Sequence, residues 1–240
     1  MRHSILILAL TLLLLGACTS NQTFLNTDQK LAKADELYEQ GKYSRAAELY
    51  GEVYFERSSA YSAHALMRQG DSYFKINKFA DARIAYQEFA DVFSSHPDAS
   101  KAVFRAAQCL YEESLPPQYD QTETRHAIDA FREFIAKYPH DPLYDEAVAY
   151  IQKAQYKLIE KKFKTGYIYY KMKDYSSALL YFNEIAELGN NDRLDRESLY
   201  YSALILHKQE LHDQARDKYE ELVRKYPGSK ESKKLAKYFK

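Results

Sequence analysis

A small residue followed four positions later by an aromatic recurs along this chain, and nothing else in it restricts the fold as much. The pairs are Ala46/Tyr50, Ala82/Tyr86, Ala127/Phe131, Ala178/Phe182 and Ala215/Tyr219. Three residues beyond each aromatic stands another apolar side chain: Val53, Phe89, Phe134, Ile185 and Leu222. Tyr43, Phe79, Tyr175 and His212 precede four of the alanines by three, and a second pattern lies upstream in Ala34/Leu37, Gly70/Tyr73, Gly166/Tyr169 and Ala203/Leu206. Positions three and four apart share one face of an α-helix. The small residue lets two helices approach, and the ring one turn later fills the gap between them. Each copy therefore reads as a helix hairpin. A single hairpin cannot bury its apolar face, so several must stack, and five copies meet that need. Most of the 23 tyrosines fall at repeat positions and are expected in the core, with their hydroxyls reaching a wet edge.

The unit resembles the tetratricopeptide repeat of about 34 residues. That resemblance implies an all-α, right-handed solenoid of about five hairpins. Pro139 and Pro227 sit where the repeat often has its terminal proline, while Leu66, Phe104 or Leu199 replaces its usual Trp. Spacing between copies is uneven: Ala46 to Ala82 is 36 residues and Ala178 to Ala215 is 37, but Ala82 to Ala127 is 45 and Ala127 to Ala178 is 51. In the third copy the extra length falls between its two helices, over 114–124, where Pro116-Pro117 stops the first helix and Asp120 or Thr122 is expected to cap the next. From Leu143 to Lys171 there is no proline and only Gly166, which predicts one helix of roughly 40 Å joining two halves of the array.

The apolar run Ile5 to Leu15 follows Arg2 and His3 and ends in Leu15-Gly16-Ala17-Cys18. It is too short for a comfortable bilayer span, which takes about 20 apolar residues, and it has the layout of a secretory signal. The tetrapeptide resembles the bacterial lipobox. That implies removal of residues 1–17, palmitate-type acylation of Cys18, and a polar tether over 18–28 whose flexible part spans roughly 17 Å. Thr19 in place of Asp favours the outer membrane under the usual sorting rule. Lys+Arg and Asp+Glu balance at 34 each, which argues against nucleic acid as a partner. With Cys18 acylated, Cys109 is the remaining cysteine and no intramolecular disulfide can form, so packing must hold the fold.

The two irregular spacings resemble the BamD (ComL-like) family of outer-membrane assembly lipoproteins. The matching residues are Asp120, Gln121 and Thr124 in the insert, Ala127-Ile128 entering a helix, Tyr138-Pro139 closing it, and Leu158, Lys161 and Lys162 on the long helix before Tyr169-Tyr170. Asp141-Pro142 departs from the family, where a Ser is usual. The resemblance implies a non-enzymatic scaffold on the periplasmic face of the outer membrane, held by its lipid. Its partners would be a BamA-like barrel protein, other BAM subunits and unfolded β-barrel outer-membrane proteins. Residues 29–142 would form a client-binding half and 143–240 a BamA-docking half. A periplasmic repeat lipoprotein serving cell-wall synthesis or envelope coordination is the alternative, and the Asp120-Gln121-x-x-Thr124 insert separates the two.

In stacked repeats the first helix of each pair lines the concave face. Residues flanking its core positions are Asp35, Tyr38, Met67, Asp71, Phe74, Arg105 and Cys109 in the N-terminal half, a strip suited to an extended client peptide. Met67, Phe74 and Cys109 fit a core role equally well. The corresponding C-terminal positions are Phe163, Tyr167, Tyr170, Lys171, Tyr200, Leu204 and His207, where exposed tyrosines would anchor a partner. No phosphate loop, nucleophile elbow or zinc motif occurs, and no cofactor is expected. His207 and His212 are five apart, off a common helical face, so no metal site is expected there. Cys109, in an apolar helix, reads as an inert thiol. The charged end 225–240 reads as a solvated final helix.

Overall fold

The computed structural model describes residues 25–56 and 60–239. Cys18, the lipobox and most of the tether lie outside the described residues. All regular structure in the described residues is helical. The first four repeats are α1 (Thr27–Glu39) with α2 (Tyr43–Phe55), α3 (Ser62–Lys75) with α4 (Phe79–Val92), α5 (Ala99–Glu113) with α6 (Thr122–Lys137), and α7 (Tyr144–Lys171) with α8 (Tyr175–Glu187). The fifth pairs α9 (Arg193–Lys208) with α10 (His212–Lys225), followed by the short α11 (Lys230–Leu235) and a 3-10 turn over Ala236–Tyr238. Each of α1 to α10 packs on the helix before and after it, so the fold is a solenoid of five hairpins.

The repeat pattern is the core. Ala46, Ala82, Ala127, Ala178 and Ala215 are fully buried, as are Tyr50, Tyr86, Phe131 and Phe182. Gly70 and Gly166 are small for a specific reason. A Cβ on Gly70 would lie 2.7 Å from Cε1 of Tyr86, and one on Gly166 would lie 2.9 Å from Cβ of Tyr181. The rings therefore lie directly against the backbone of the facing helix.

Four of the five hairpins share one turn. Gly41, Asn77, Lys173 and Glu210 all take positive φ, between 59° and 72°, just before the second helix. In each, the next amide donates back across the turn: Lys42 to Leu37, Lys78 to Tyr73, Asp174 to Tyr169 and Leu211 to Leu206. These are Schellman-type closures, in which a left-handed residue ends the first helix. Only the first uses glycine; Lys173 and Glu210 carry a side chain in a region that disfavours one.

The third hairpin replaces this turn with the predicted insert, and here one expectation needs correcting. The N-cap of α6 is Gln121, with no side-chain cap bond, rather than Asp120 or Thr122. Asp120 Oδ1 instead accepts from the Thr122 amide at 2.8 Å, and the Thr122 bonds hold its carboxyl below the usual range. The buried Gln121 side chain organises the loop. Its Nε2 lies 2.9 to 3.3 Å from the carbonyl oxygens of Leu115, Pro116, Tyr119 and Asp120, while Oε1 accepts from the Thr124 hydroxyl at 2.7 Å. From the other side α7 supplies three lysines. Lys157 donates to Ser114 O at 2.9 Å, Lys161 to Tyr119 O at 2.8 Å and Lys164 to Gln118 Oε1 at 3.1 Å. Burial pulls the Lys157 ammonium below its ordinary pKa. The α7 helix has 28 residues, close to 42 Å at 1.5 Å per residue.

The C-terminal segment closes the solenoid rather than floating in solvent. Leu235 is fully buried, Phe239 stacks on Tyr219 at 4.7 Å, and Tyr238 lies on His207 at 4.8 Å. A polar outer face is what a terminal element of such an array requires.

Candidate functional site

Among the described residues the first helices α1, α3 and α5 carry a repeated polar construction on their inner side. Asp35 accepts from the Tyr50 hydroxyl at 2.6 Å, and one repeat later Asp71 accepts from Tyr86 at 2.7 Å. Burial, with the neighbouring aspartate, pushes both phenols above their ordinary pKa. Each hydroxyl thus fixes an aspartate from beneath. A second ladder runs beside it. The Arg68 guanidinium lies 3.8 Å from the Tyr38 ring centroid, and that of Arg105 lies 5.5 Å from Phe74. In both pairs an aromatic of one repeat carries the arginine of the next. Arg105 also donates to Gln108 Oε1 at 2.7 Å, and Gln108 donates to the Tyr150 hydroxyl at 2.6 Å.

These side chains border a cavity of about 350 Å³ lined by His64, Met67, Arg68, Asp71 and Lys101. Further along, where α5 meets α7, a larger one of about 660 Å³ lies between Tyr111, Pro117, Lys153, Tyr156 and Lys157. A mixed wall of fixed charges and half-covered rings can hold an extended peptide, with backbone polar groups on the charges and side chains on the rings.

The structure brings together Asp35, Tyr38, Asp71, Phe74 and Arg105 on this surface. Two candidates belong to the core formed with Leu66, Tyr86 and Phe89: Cys109 is fully buried, and Met67, 7% exposed, shows only an edge to the cavity. Burial pushes the Cys109 thiol up to about 12. Sequence reasoning missed Arg68, although it stands 37 residues before Arg105, at the repeat spacing that would have found it. Lys157 and Lys164 gave no comparable sign, and Lys161 stood out only as part of the family resemblance.

In the C-terminal half Tyr167, Tyr170 and Tyr201 form one ring cluster, with centroids 5.0 to 6.2 Å apart. Tyr201 is held at its centre, its pKa pushed up to about 12 by burial. Tyr167 is 38% exposed, Tyr200 half-buried and Lys171 exposed. Lys208 Nζ donates to the Tyr170 hydroxyl at 3.2 Å. Leu204 is core, and His207 is not an open docking residue, because Tyr238 and Phe239 lie over its ring. The separation expected between His207 and His212 is also corrected. They stand on different helices, and the tight turn brings their rings to 5.6 Å. Among the described residues no group of three or more His, Cys, Asp or Glu is arranged to hold a metal ion, and no helix is long and apolar enough to cross a membrane.

Stacked helix hairpins with small-residue seams, a polar end cap and a continuous inner face define a helical-repeat interaction scaffold. The chain belongs to the tetratricopeptide-repeat family, whose model matches residues 31–91, 67–117 and 163–230. Within that class it is BamD-like. It is 25% identical over 226 residues to the outer membrane protein assembly factor BamD of Rickettsia prowazekii (strain Madrid E), covering 91% of this chain and 89% of that protein. It is also 25% identical over 170 residues to BamD of Caulobacter vibrioides, covering 70% of this chain and 55% of that protein. Solved structures with a similar fold include MamA (TM-score 0.36, 16% identity, 88% of this chain and 94% of that one) and the TPR2AB-domain:pHSP90-complex of yeast Sti1 (TM-score 0.46, 13% identity, 86% and 80%).

Proposed function

We propose that this protein is a lipid-anchored, non-enzymatic scaffold for assembly of β-barrel proteins at the periplasmic face of the outer membrane, within a BAM-type complex. The observation that carries this reading is the extent of the likeness to an outer-membrane assembly factor, over nine-tenths of both chains. The inner surface supports it. Residues 29–142 present the aspartate and aromatic–arginine ladders, which suit an unfolded client's extended segment, while 143–240 present the Tyr167/Tyr170/Tyr200 face for a BamA-like partner. Cys18 supplies the membrane attachment.

Affinity purification of the intact protein from solubilised envelopes tests the assignment. A BamA-like barrel protein should be recovered, and its reproducible absence would refute the reading. Within the groove, Arg105→Glu should weaken crosslinking to a client's C-terminal peptide while leaving helix content unchanged. Undiminished crosslinking would move client binding off this surface.

A further inference from the structure

The first hairpin has an exposed apolar tip whose position relative to the proposed anchor gives it a role. Phe55, the last residue of α2, is 79% exposed, the largest exposure among the big apolar side chains described. One face of its ring meets Tyr54, with centroids 5.9 Å apart, and borders a shallow cavity with Tyr73 and Ile84, while the rest is open. The start of α1 lies beside it. Thr27 Oγ1 donates to Glu56 Oε2 at 2.5 Å, and Lys30 Nζ reaches Glu56 at 2.5 Å and Glu52 at 3.0 Å. Leu25, two residues before Thr27, is exposed at the same end. The carboxylates flanking Phe55 are thereby engaged by Lys30, whose contacts hold Glu56 below its usual pKa, so the ring is bordered by compensated charge.

Leu25 stands seven chain steps after Cys18. Whatever their path, those steps reach at most about 25 Å. An acylated Cys18 therefore confines this end of the solenoid to the neighbourhood of the bilayer surface. A tether alone confines it without orienting it. An exposed aromatic on a rigid helix end, by contrast, can enter the headgroup boundary to a depth of about 5–10 Å and fix the angle at which the array leaves the membrane.

We propose that Phe55, with Leu25 at the same end of the hairpin, is a second membrane contact, seated in the phospholipid interface of the leaflet that holds the lipid anchor. This rests on the lipid-anchor reading above. Its consequence is orientation. The acyl chains set the distance, and the Phe55 tip sets which face of the solenoid looks along the membrane and which looks away.

The chain contains no Trp, so Phe55→Trp creates a single tryptophan at an exposed site, excited at the red edge where the 23 tyrosines do not absorb. The full-length acylated variant is reconstituted into vesicles of phosphatidylethanolamine and phosphatidylglycerol, with and without bromine on the acyl chains near the headgroup. Circular dichroism confirms an unchanged helix content. Leu180→Trp on α8, where Leu180 is 59% exposed, serves as the comparison. The proposal expects blue-shifted emission at position 55 that loses most of its intensity to the brominated lipid, and unquenched emission at position 180. If the protein floats with vesicles but position 55 stays solvent-like and unquenched, the anchor stands and this contact is refuted. Failure to float removes the anchor and the proposal together. A blue shift without bromine quenching would assign the tip to a protein partner or a second copy, and equal quenching at both positions would show no orienting contact. Either result overturns it.

Discussion

Two glycines in neighbouring helices give a paired test of how the repeat seam is built. In Gly70→Ala the new methyl carbon would lie 2.7 Å from Cε1, 2.9 Å from Cδ1 and 3.1 Å from Cζ of Tyr86. That ring cannot swing aside, since it is fully buried and its hydroxyl is tied to Asp71. Overpacking of this kind costs about 1–3 kcal/mol, against which alanine recovers about 0.8–1.0 kcal/mol of helix propensity. A net loss of up to about 2 kcal/mol follows, or up to roughly 8 °C in melting midpoint for a chain of this size. In Gly51→Ala the nearest atom is also at 2.7 Å, but it is Nε2 of Gln69, the free end of a flexible side chain whose one bond, to Ala47 O, is long at 3.3 Å. The amide can rotate away, so this change should be neutral or stabilising by up to about 1 kcal/mol. Thermal and urea unfolding followed by far-ultraviolet circular dichroism would measure both. Midpoints moving in the same direction by similar amounts would refute the claim that ring-on-backbone contact, rather than glycine itself, sets the seam. Because Gly70 precedes Asp71, Gly70→Ala should also weaken peptide crosslinking in the groove, whereas Gly51→Ala should not.

Gln121→Ala should cost about 1–3 kcal/mol, because it leaves the Thr124 hydroxyl and several loop carbonyls without their buried partner. Faster proteolytic nicking within 114–121 would report it, and unchanged nicking would count against the role of that amide. Lys173→Gly and Glu210→Gly should each raise stability by about 0.5–1 kcal/mol by relieving a left-handed side chain, read as a higher unfolding midpoint; a lower one would contradict the turn geometry. Cys109, with its folded pKa raised from 9.0 to about 12, should resist alkylation at neutral pH until the chain unfolds. Since its folded state holds the proton more tightly, its contribution is complete below pH 9 and falls as pH rises from there toward 12. Glu56 works in the opposite sense. Lys30 lowers its folded pKa from 4.5, so its contribution is present above that value and is lost as pH falls through the lower folded pKa. Protection of the α1 amides relative to their intrinsic exchange rates should fall over that range, and protection that persists unchanged would argue against the Lys30 bridge.

The fold was legible because its core repeats. Ala46, Tyr50 and their counterparts are set by helix period alone, and each copy reinforces the others. The insert and the long α7 were legible from spacing, since an extra stretch with two prolines and a long stretch without any have few alternatives. Residues governed by contacts between distant segments were not. Spacing kept His207 and His212 apart by treating them as one helix, whereas the left-handed turn at Glu210 folds one helix end onto the next. Whether Met67 and Cys109 faced the groove or the core depended on rotation of α3 and α5 by a fraction of a turn, which the second helices decide. Arg68 differs, for its equivalence to Arg105 was open to view. The role of the lysines under the insert was not, because helical lysines at such spacing ordinarily meet solvent or acids rather than loop carbonyls.

The packing of each repeat on its neighbouring repeats has a mechanical consequence. A load between the first repeat and the C-terminal cap passes through every hairpin interface in series, so the softest one sets how far the array stretches. The insert stiffens the middle of that series, since Lys157, Lys161 and Lys164 fasten the third hairpin to the helix that begins the fourth. Compliance is left to the outer repeats, so the two ends of the inner face can shift relative to the centre while the centre keeps its shape.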